Sequence, residues 1–283
     1  MQQATGRPMQ IKNLFLLGTL LLISACQSTR IAQPYVWPTA AVATAAQFKH
    51  LTLQQTGTQD PERLHVYIEG DGVPFRNRFR ISNDPSPRNP LMLRLMEQDK
   101  TTSLYLGRPC YFTHSNPSME DNLCDFHLWT DARYSDAVVS SMVDVLRQHT
   151  KNHQYQGITL IGHSGGGTIA TLMAARMPEV DQLITLAANL DIQAWTSLHH
   201  YSALSNSLNP ADLDHAQPNK QIHFMGDKDD NIPPALAKDF LTKIGQQGEI
   251  LKDADHNCCW QNHWQELLLK INAQMQIKNQ SIN

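Results

Sequence analysis

Gly162-His163-Ser164-Gly165-Gly166 sets one serine among glycines, where an apolar, β-branched run at 158–161 gives way to Ile169, Leu172 and Met173 at helical spacing. That is the pattern of strand, sharp turn and helix. A hydroxyl at such a turn stands clear of its own backbone, and the helix behind it aims N–H groups and the positive end of its dipole at the reaction centre. The chemistry this suits is nucleophilic attack on a carbonyl, with the backbone N–H of Gly165 as one donor to the oxyanion. The same glycines also suit a turn around a structural serine or a phosphate, although a Walker-type phosphate loop needs a lysine that this stretch lacks.

A serine becomes nucleophilic through an imidazole, which an acid must orient. Downstream, Asp227, Asp229 and Asp230 follow the strand-like run 221–226, and His256 follows the run 249–252. Ser164, Asp229 and His256 are the expected set, with Asp191, just past the run 182–189, as a second candidate for the acid. Asp227 and Asp230 read as a solvated turn, His263 as part of a closing helix, and His199-His200 as surface. A metal reading of His256, Cys258, Cys259 and His263 matches no zinc spacing, so neither a metal nor a cofactor is expected. A second glycine turn, Gly70-Asp71-Gly72, ends the alternating run 63–69. It is placed to supply the other oxyanion donor, by position the backbone N–H of Asp71, with Gly72 next to it.

The elements that must position these residues alternate. Strands are expected at 48–53, 63–69, 103–106, 157–163, 182–189, 221–226 and 249–252. Helices are expected at 91–97, after Ser135 or Asp136, behind Ser164, and at 233–244 and 260–275. Such alternation builds a mostly parallel sheet with helices on both faces and gathers functional residues at the carboxyl ends of its strands. The segment 190–218, with Trp195, His199 and Tyr201, shows no long period and reads as a lid or pocket wall. Residues 76–90 read as an exposed loop whose Arg76, Arg78, Arg80 and Arg88 are either solvated or bind an anionic group such as a phospholipid head. Phe126, Trp129 and Tyr134 read as core or as a staple at the start of a helix.

Four features now stand together: the glycine-boxed Ser164, the turn Gly70-Asp71-Gly72, the spacing Gly226-x-x-Asp229-x-x-Ile232-Pro233, and His256 completing the order Ser, Asp, His. On these, residues 60–275 resemble the α/β-hydrolase superfamily. The resemblance implies the α/β-hydrolase fold, a mostly parallel sheet with helices on both faces and an irregular lid-like insertion. It also implies esterase, lipase, thioesterase or peptidase chemistry on a small-molecule or lipid-like acyl substrate, with ester cleavage ahead of peptide cleavage. A hydrolase-shaped envelope protein that binds a partner without catalysing is the alternative. Glu69-Gly70-Asp71-Gly72 departs from the commoner His-Gly pair, so both acidic side chains are expected to point away from the oxyanion.

At 283 residues and 41% apolar content, one α/β domain is expected, and a net charge of -3 without a basic block argues against nucleic acid as partner. Lys12 precedes an apolar run that ends in Ile23-Ser24-Ala25-Cys26. The run is short for a membrane span and reads as a signal peptide at 1–25. Its end resembles the lipobox of bacterial lipoproteins, which implies lipidation of Cys26 and attachment to the cell envelope. Gln27 follows in place of an aspartate, favouring the periplasmic face of an outer membrane. A lipid-anchored tether that becomes a first hairpin, with the first strand in 26–60, then leads into a hydrolase domain at 61–283. In that oxidising compartment a disulfide between Cys110 and Cys124 is expected, leaving Cys258 and Cys259 as a vicinal bridge or free thiols.

Overall fold

The computed structural model describes residues 41–276 apart from 46, 215–217 and 219. The expected leader and Cys26 lie outside the described residues. In chain order the elements are β1 (Ala41–Ala45), β2 (Phe48–Gln55), β3 (Asp60–Ile68), β4 (Phe75–Asn77), β5 (Arg80–Ile81), α1 (Leu91–Met96), β6 (Thr101–Leu106), α2 (Asp136–Thr150), β7 (Gly157–His163), α3 (Gly165–Ala174), β8 (Val180–Leu186), α4 (Ile192–Leu198), β9 (Lys220–Gly226), α5 (Pro234–Lys243), β10 (Gly248–Leu251) and α6 (Trp260–Gln276). Eight strands make one sheet in the order β1-β2-β6-β3-β7-β8-β9-β10. Neighbours from β6 to β10 pair in parallel, while β2 runs antiparallel to β1 and β6.

The central strand β7 is buried along its whole length, which is why it reads as a continuous apolar run and not as an alternating one. On one face Val138, Met142 and Leu146 of α2 and Ile169 and Leu172 of α3 pack together over the sheet. On the other face α1 and α6 contribute Met92, Leu95, Trp264 and Leu267. Trp264 is wholly buried, and its indole N–H donates to the Leu95 carbonyl at 2.8 Å, locking α6 to α1. Buried indoles need such a partner, because an unpaired N–H would forfeit much of what burying the ring gains.

Two expectations are corrected and one is met. Residues 41–55 form the hairpin expected of that stretch, with β1 antiparallel to β2, and β2 goes on to pair with β6 at Thr52↔Leu106 and so extends the sheet. Residues 76–90 are not loop throughout, because β4 and β5 form a short hairpin that is exposed from 75 to 80 and touches the core through Ile81, and so leaves no periodic trace. The segment 190–218 is less irregular than expected. It contains α4 and a tight turn at Pro210–Asp212.

Candidate active site

Ser164 stands between β7 and α3 with φ 51° and ψ -124°. A non-glycine residue holds this conformation only where its surroundings dictate it, and strain of this kind costs about 1–3 kcal/mol. Two features enforce it here. The Ser164 amide donates to the Leu186 carbonyl of the neighbouring strand at 2.9 Å. Gly162 approaches α3 so closely that a Cβ there would lie 2.3 Å from the Gly166 carbonyl oxygen. The serine side chain is thereby pushed clear of the sheet, and Gly165 becomes the first residue of the helix behind it.

His256 and Asp229 reach this hydroxyl from the carboxyl ends of β10 and β9. Nε2 of His256 lies 3.0 Å from Ser164 Oγ, and Nδ1 lies 2.9 Å from Asp229 Oδ2. A carboxylate can only accept, so in the neutral ring Nδ1 carries the hydrogen and Nε2 is left as the base facing the serine. The other oxygen of the buried Asp229 accepts the backbone N–H groups of Asn231 at 2.9 Å and Ile232 at 2.8 Å, which fix the carboxylate plane.

Two further residues hold the imidazole, and the sequence reading passed over both. His163 is buried, and its Nε2 donates to the His256 backbone carbonyl at 2.7 Å. Asn231 places its amide nitrogen 3.0 Å from His256 Nε2, the same nitrogen that faces Ser164. One lone pair there meets two donors. Asn231 is itself held by the insertion. Its side-chain oxygen accepts from the Trp195 indole at 3.3 Å, and its backbone carbonyl accepts from His199 at 2.8 Å. His199 is therefore tied into the wall beside the imidazole, contrary to its reading as free surface. The position of Asn231, two residues past an acid at a strand end, was the available signal.

The loop after β3 lies against the serine, since a Cβ on Gly70 would meet Ser164 Cβ at 3.3 Å. Glu69 points away as expected. Its carboxylate accepts the Met92 amide at the start of α1 at 3.1 Å, and burial pushes its pKa up to about 7. Asp71 contradicts the expectation: its carboxylate stays at the site, so close to Gly165 that a Cβ there would lie 2.1 Å from Oδ1. What makes this tolerable is compensation. Arg108 donates to Oδ1, Arg133 to Oδ2 at 3.0 Å, and the Tyr134 hydroxyl to Oδ2 at 2.6 Å. Burial raises the acid's pKa, but Arg133 and Arg108 outweigh it and hold it at about 2. One carboxylate faces two buried guanidiniums, so the cluster under the oxyanion loop is net positive. The Tyr111 hydroxyl also donates to the Asp71 carbonyl at 3.1 Å, fixing the peptide.

Asp71→Ala is therefore expected to cost about 3–5 kcal/mol of stability, because it strands two buried cations. Urea unfolding measures this. A loss no larger than that of an exposed substitution would show that the guanidiniums find water instead.

The other candidates fall away from the reaction centre. Asp191 caps α4, accepting from Gln193 and Ala194 at 3.1 and 3.0 Å. Asp227 and Asp230 are exposed, and His263 lies on α6. Cys110 is bonded to Cys124, and Cys258 to Cys259, which removes both of the latter as metal ligands.

Buried histidines give the fold an acid limit. Burial lowers His50 and His223 to about 4, and burial together with nearby His256 lowers His163 to about 3. The unfolded chain takes these protons near pH 6.5, so stability present at pH 7 is lost on acidification, by about 2 kcal/mol per histidine at pH 5. Glu69 works in the opposite sense, its raised value restoring about 2 kcal/mol over the same interval. A lower urea midpoint at pH 5 than at pH 7 is the expected outcome, and equal midpoints would contradict it.

A family model described as alpha/beta hydrolase fold matches residues 110–218. Among curated proteins no sequence matches the chain. Several solved structures resemble it. A serine hydrolase without a lid from Xanthomonas campestris is 13% identical with a TM-score of 0.53, over 82% of this chain and 94% of its own. Est1E from Butyrivibrio proteoclasticus is 14% identical with a TM-score of 0.54, over 83% and 99%. A carboxylesterase from the thaumarchaeon Nitrososphaera gargenis is 14% identical with a TM-score of 0.52, over 85% and 100%. Likeness at that level of identity speaks for architecture, and with the parallel sheet and the serine raised at a strand-to-helix turn it establishes that this chain has the α/β-hydrolase fold.

Proposed function

We propose that the protein is an exported, lipid-anchored serine hydrolase that cleaves an ester or related acyl bond. The observation that carries this reading is the unbroken relay Ser164 Oγ, His256 Nε2, His256 Nδ1, Asp229 Oδ2, with steps of 3.0 and 2.9 Å. In the proposed reaction Ser164 Oγ bonds to the substrate carbonyl carbon while its proton passes to His256 Nε2. The carbonyl π electrons move to oxygen, and the backbone N–H groups of Gly165 and Asp71 receive that oxyanion. Asp229 stabilises the imidazolium. Collapse expels the alcohol, which takes the proton from His256, and leaves an acyl-serine. A water then repeats the sequence, releasing the acid and restoring the serine.

The net positive cluster of Arg108, Arg133 and Asp71 favours charge development at that carbonyl oxygen. The hydrolase and carboxylesterase descriptions of the similar structures agree with an ester substrate. The apolar run ending at Cys26 supports export and acylation, with the periplasmic face of an outer membrane as the proposed location. No cofactor enters this chemistry.

A fluorophosphonate probe tests the reading. Labelling that maps to Ser164 and disappears in Ser164→Ala is expected. A folded wild type that takes no label, and turns over no member of an ester panel, would leave only the role of a non-catalytic binding protein.

A further inference from the structure

The β4–β5 hairpin takes no part in the chemistry above, yet it is built to stand in solvent. Residues 75–80 are all exposed, and Phe79 at the turn, 96% exposed, is the most exposed large apolar side chain among the described residues. Phe75 is 44% exposed. Arg76, Arg78 and Arg80 interleave with these rings, and no acid lies within 75–81. Among the described residues the arginine ion pairs are those of Arg63, Arg108, Arg133, Arg147 and Arg176, none of them in the hairpin.

The projection is held from below. Phe75 pairs with Ile81, and the Phe79 amide donates to Asn77 Oδ1 at 3.0 Å across the turn. Its base is closed by Ser82 N–H donating to the Pro74 carbonyl at 2.9 Å and Val73 N–H to the Pro85 carbonyl at 2.7 Å. The buried Trp129 donates to the Ser82 carbonyl at 3.0 Å. A phenyl ring held out in water this way forgoes the gain of burial unless something covers it. The three guanidiniums around it, none of them in an ion pair among the described residues, make an anionic surface the one that fits.

We propose that this hairpin docks the protein on an anionic phospholipid surface, with Phe75 and Phe79 entering the interfacial layer and Arg76, Arg78 and Arg80 on phosphates. Aromatic rings settle at that depth, and arginines beside them gain from the negative surface potential. The site's position gives the docking a use. Phe75 is five residues from Gly70, whose backbone touches Ser164, so the two are at most about 18 Å apart. Docking therefore keeps the serine close to the membrane surface, which makes an acyl lipid the substrate class this placement favours. That last step rests on the hydrolase reading, whereas the docking does not.

The test uses the full chain carrying Cys26→Ser and Phe79→Cys, in which residue 79 holds the one thiol outside the two disulfides. That thiol is labelled with an environment-sensitive fluorophore. Vesicles of phosphatidylcholine mixed with phosphatidylglycerol are expected to shift the emission to the blue, and vesicles of phosphatidylcholine alone are not. Changing Arg76, Arg78 and Arg80 together to serine is expected to raise the lipid concentration at half-shift by roughly a hundredfold. Adding Ser164→Ala should leave the shift intact, so failure to dock and failure to hydrolyse are read separately. A label that stays in water on both vesicles, shifts equally on both, or ignores the arginine changes would overturn the proposal. A shift produced by polyglutamate but not by vesicles would overturn it in favour of an acidic protein partner.

Discussion

Ser164→Ala lowers kcat by about 10⁵–10⁶-fold while the protein keeps its fold and its affinity for substrate. The size follows from what is lost. Without Oγ there is no nucleophile, and water cannot occupy the same position, because the strained turn presents a side-chain atom where free water would have to be immobilised. The oxyanion donors are backbone groups and survive the change, so a residual acceleration remains. The fold survives for a similar reason. The turn at 164 is held by the amide bond to Leu186 and by close approach at Gly162, neither of which uses the hydroxyl. His256→Ala should cost nearly as much as Ser164→Ala, and the double variant scarcely more, because the two groups act in a single proton transfer. Steady-state kinetics on an ester that the wild type turns over, with circular dichroism as the control for folding, measures this. Additive losses would mean the two residues serve separate steps, and a loss below tenfold would mean that another nucleophile carries the reaction.

The serine was legible in the sequence because its demands are local. A turn this tight leaves no room for a side chain at 162, 165 or 166, and glycines record that in the chain itself. Choosing Asp229 over Asp191 was harder, since both follow strands. What separates them is that Asp191 caps the first turn of α4 through Oδ1, and α4 is a seven-residue helix too short to announce itself by periodicity. Nothing in the sequence announced the cluster beneath the oxyanion loop. Asp71 meets Arg108, Arg133 and Tyr134 across 37, 62 and 63 residues, a separation at which no local spacing signals a contact. Such pairings depend on which strand ends become neighbours, here β3 beside β6 and β7, and that order is a tertiary fact. Edge elements were missed for a different reason. β4 and β5 have little to bury and leave no apolar rhythm to read.

Asp229→Asn is the sharper probe of the relay, because it changes one atom's hydrogen-bonding sense and almost no volume. Two backbone N–H groups, from Asn231 and Ile232, point at Oδ1. They dictate how an amide must sit, with its oxygen toward those donors and its NH₂ toward His256. The imidazole nitrogen at Nδ1 then faces a donor and must accept, which forces the ring hydrogen onto Nε2. In that tautomer Nε2 cannot take the proton of Ser164, although every heavy atom stays in place. The expected loss is about 10⁴ in kcat near neutral pH, at little cost in stability. Asn231 reinforces the prediction. Its side-chain NH₂, now opposite an N–H at position Nε2, would have to turn away from the ring and disturb the bond from Trp195. Replacing Asp229 by alanine instead strands the two backbone donors, and so should cost stability as well as activity. An asparagine variant that is as unstable as the alanine variant, or one that retains more than a tenth of the activity, would show that Asp229 holds the loop in shape without setting the tautomer of His256.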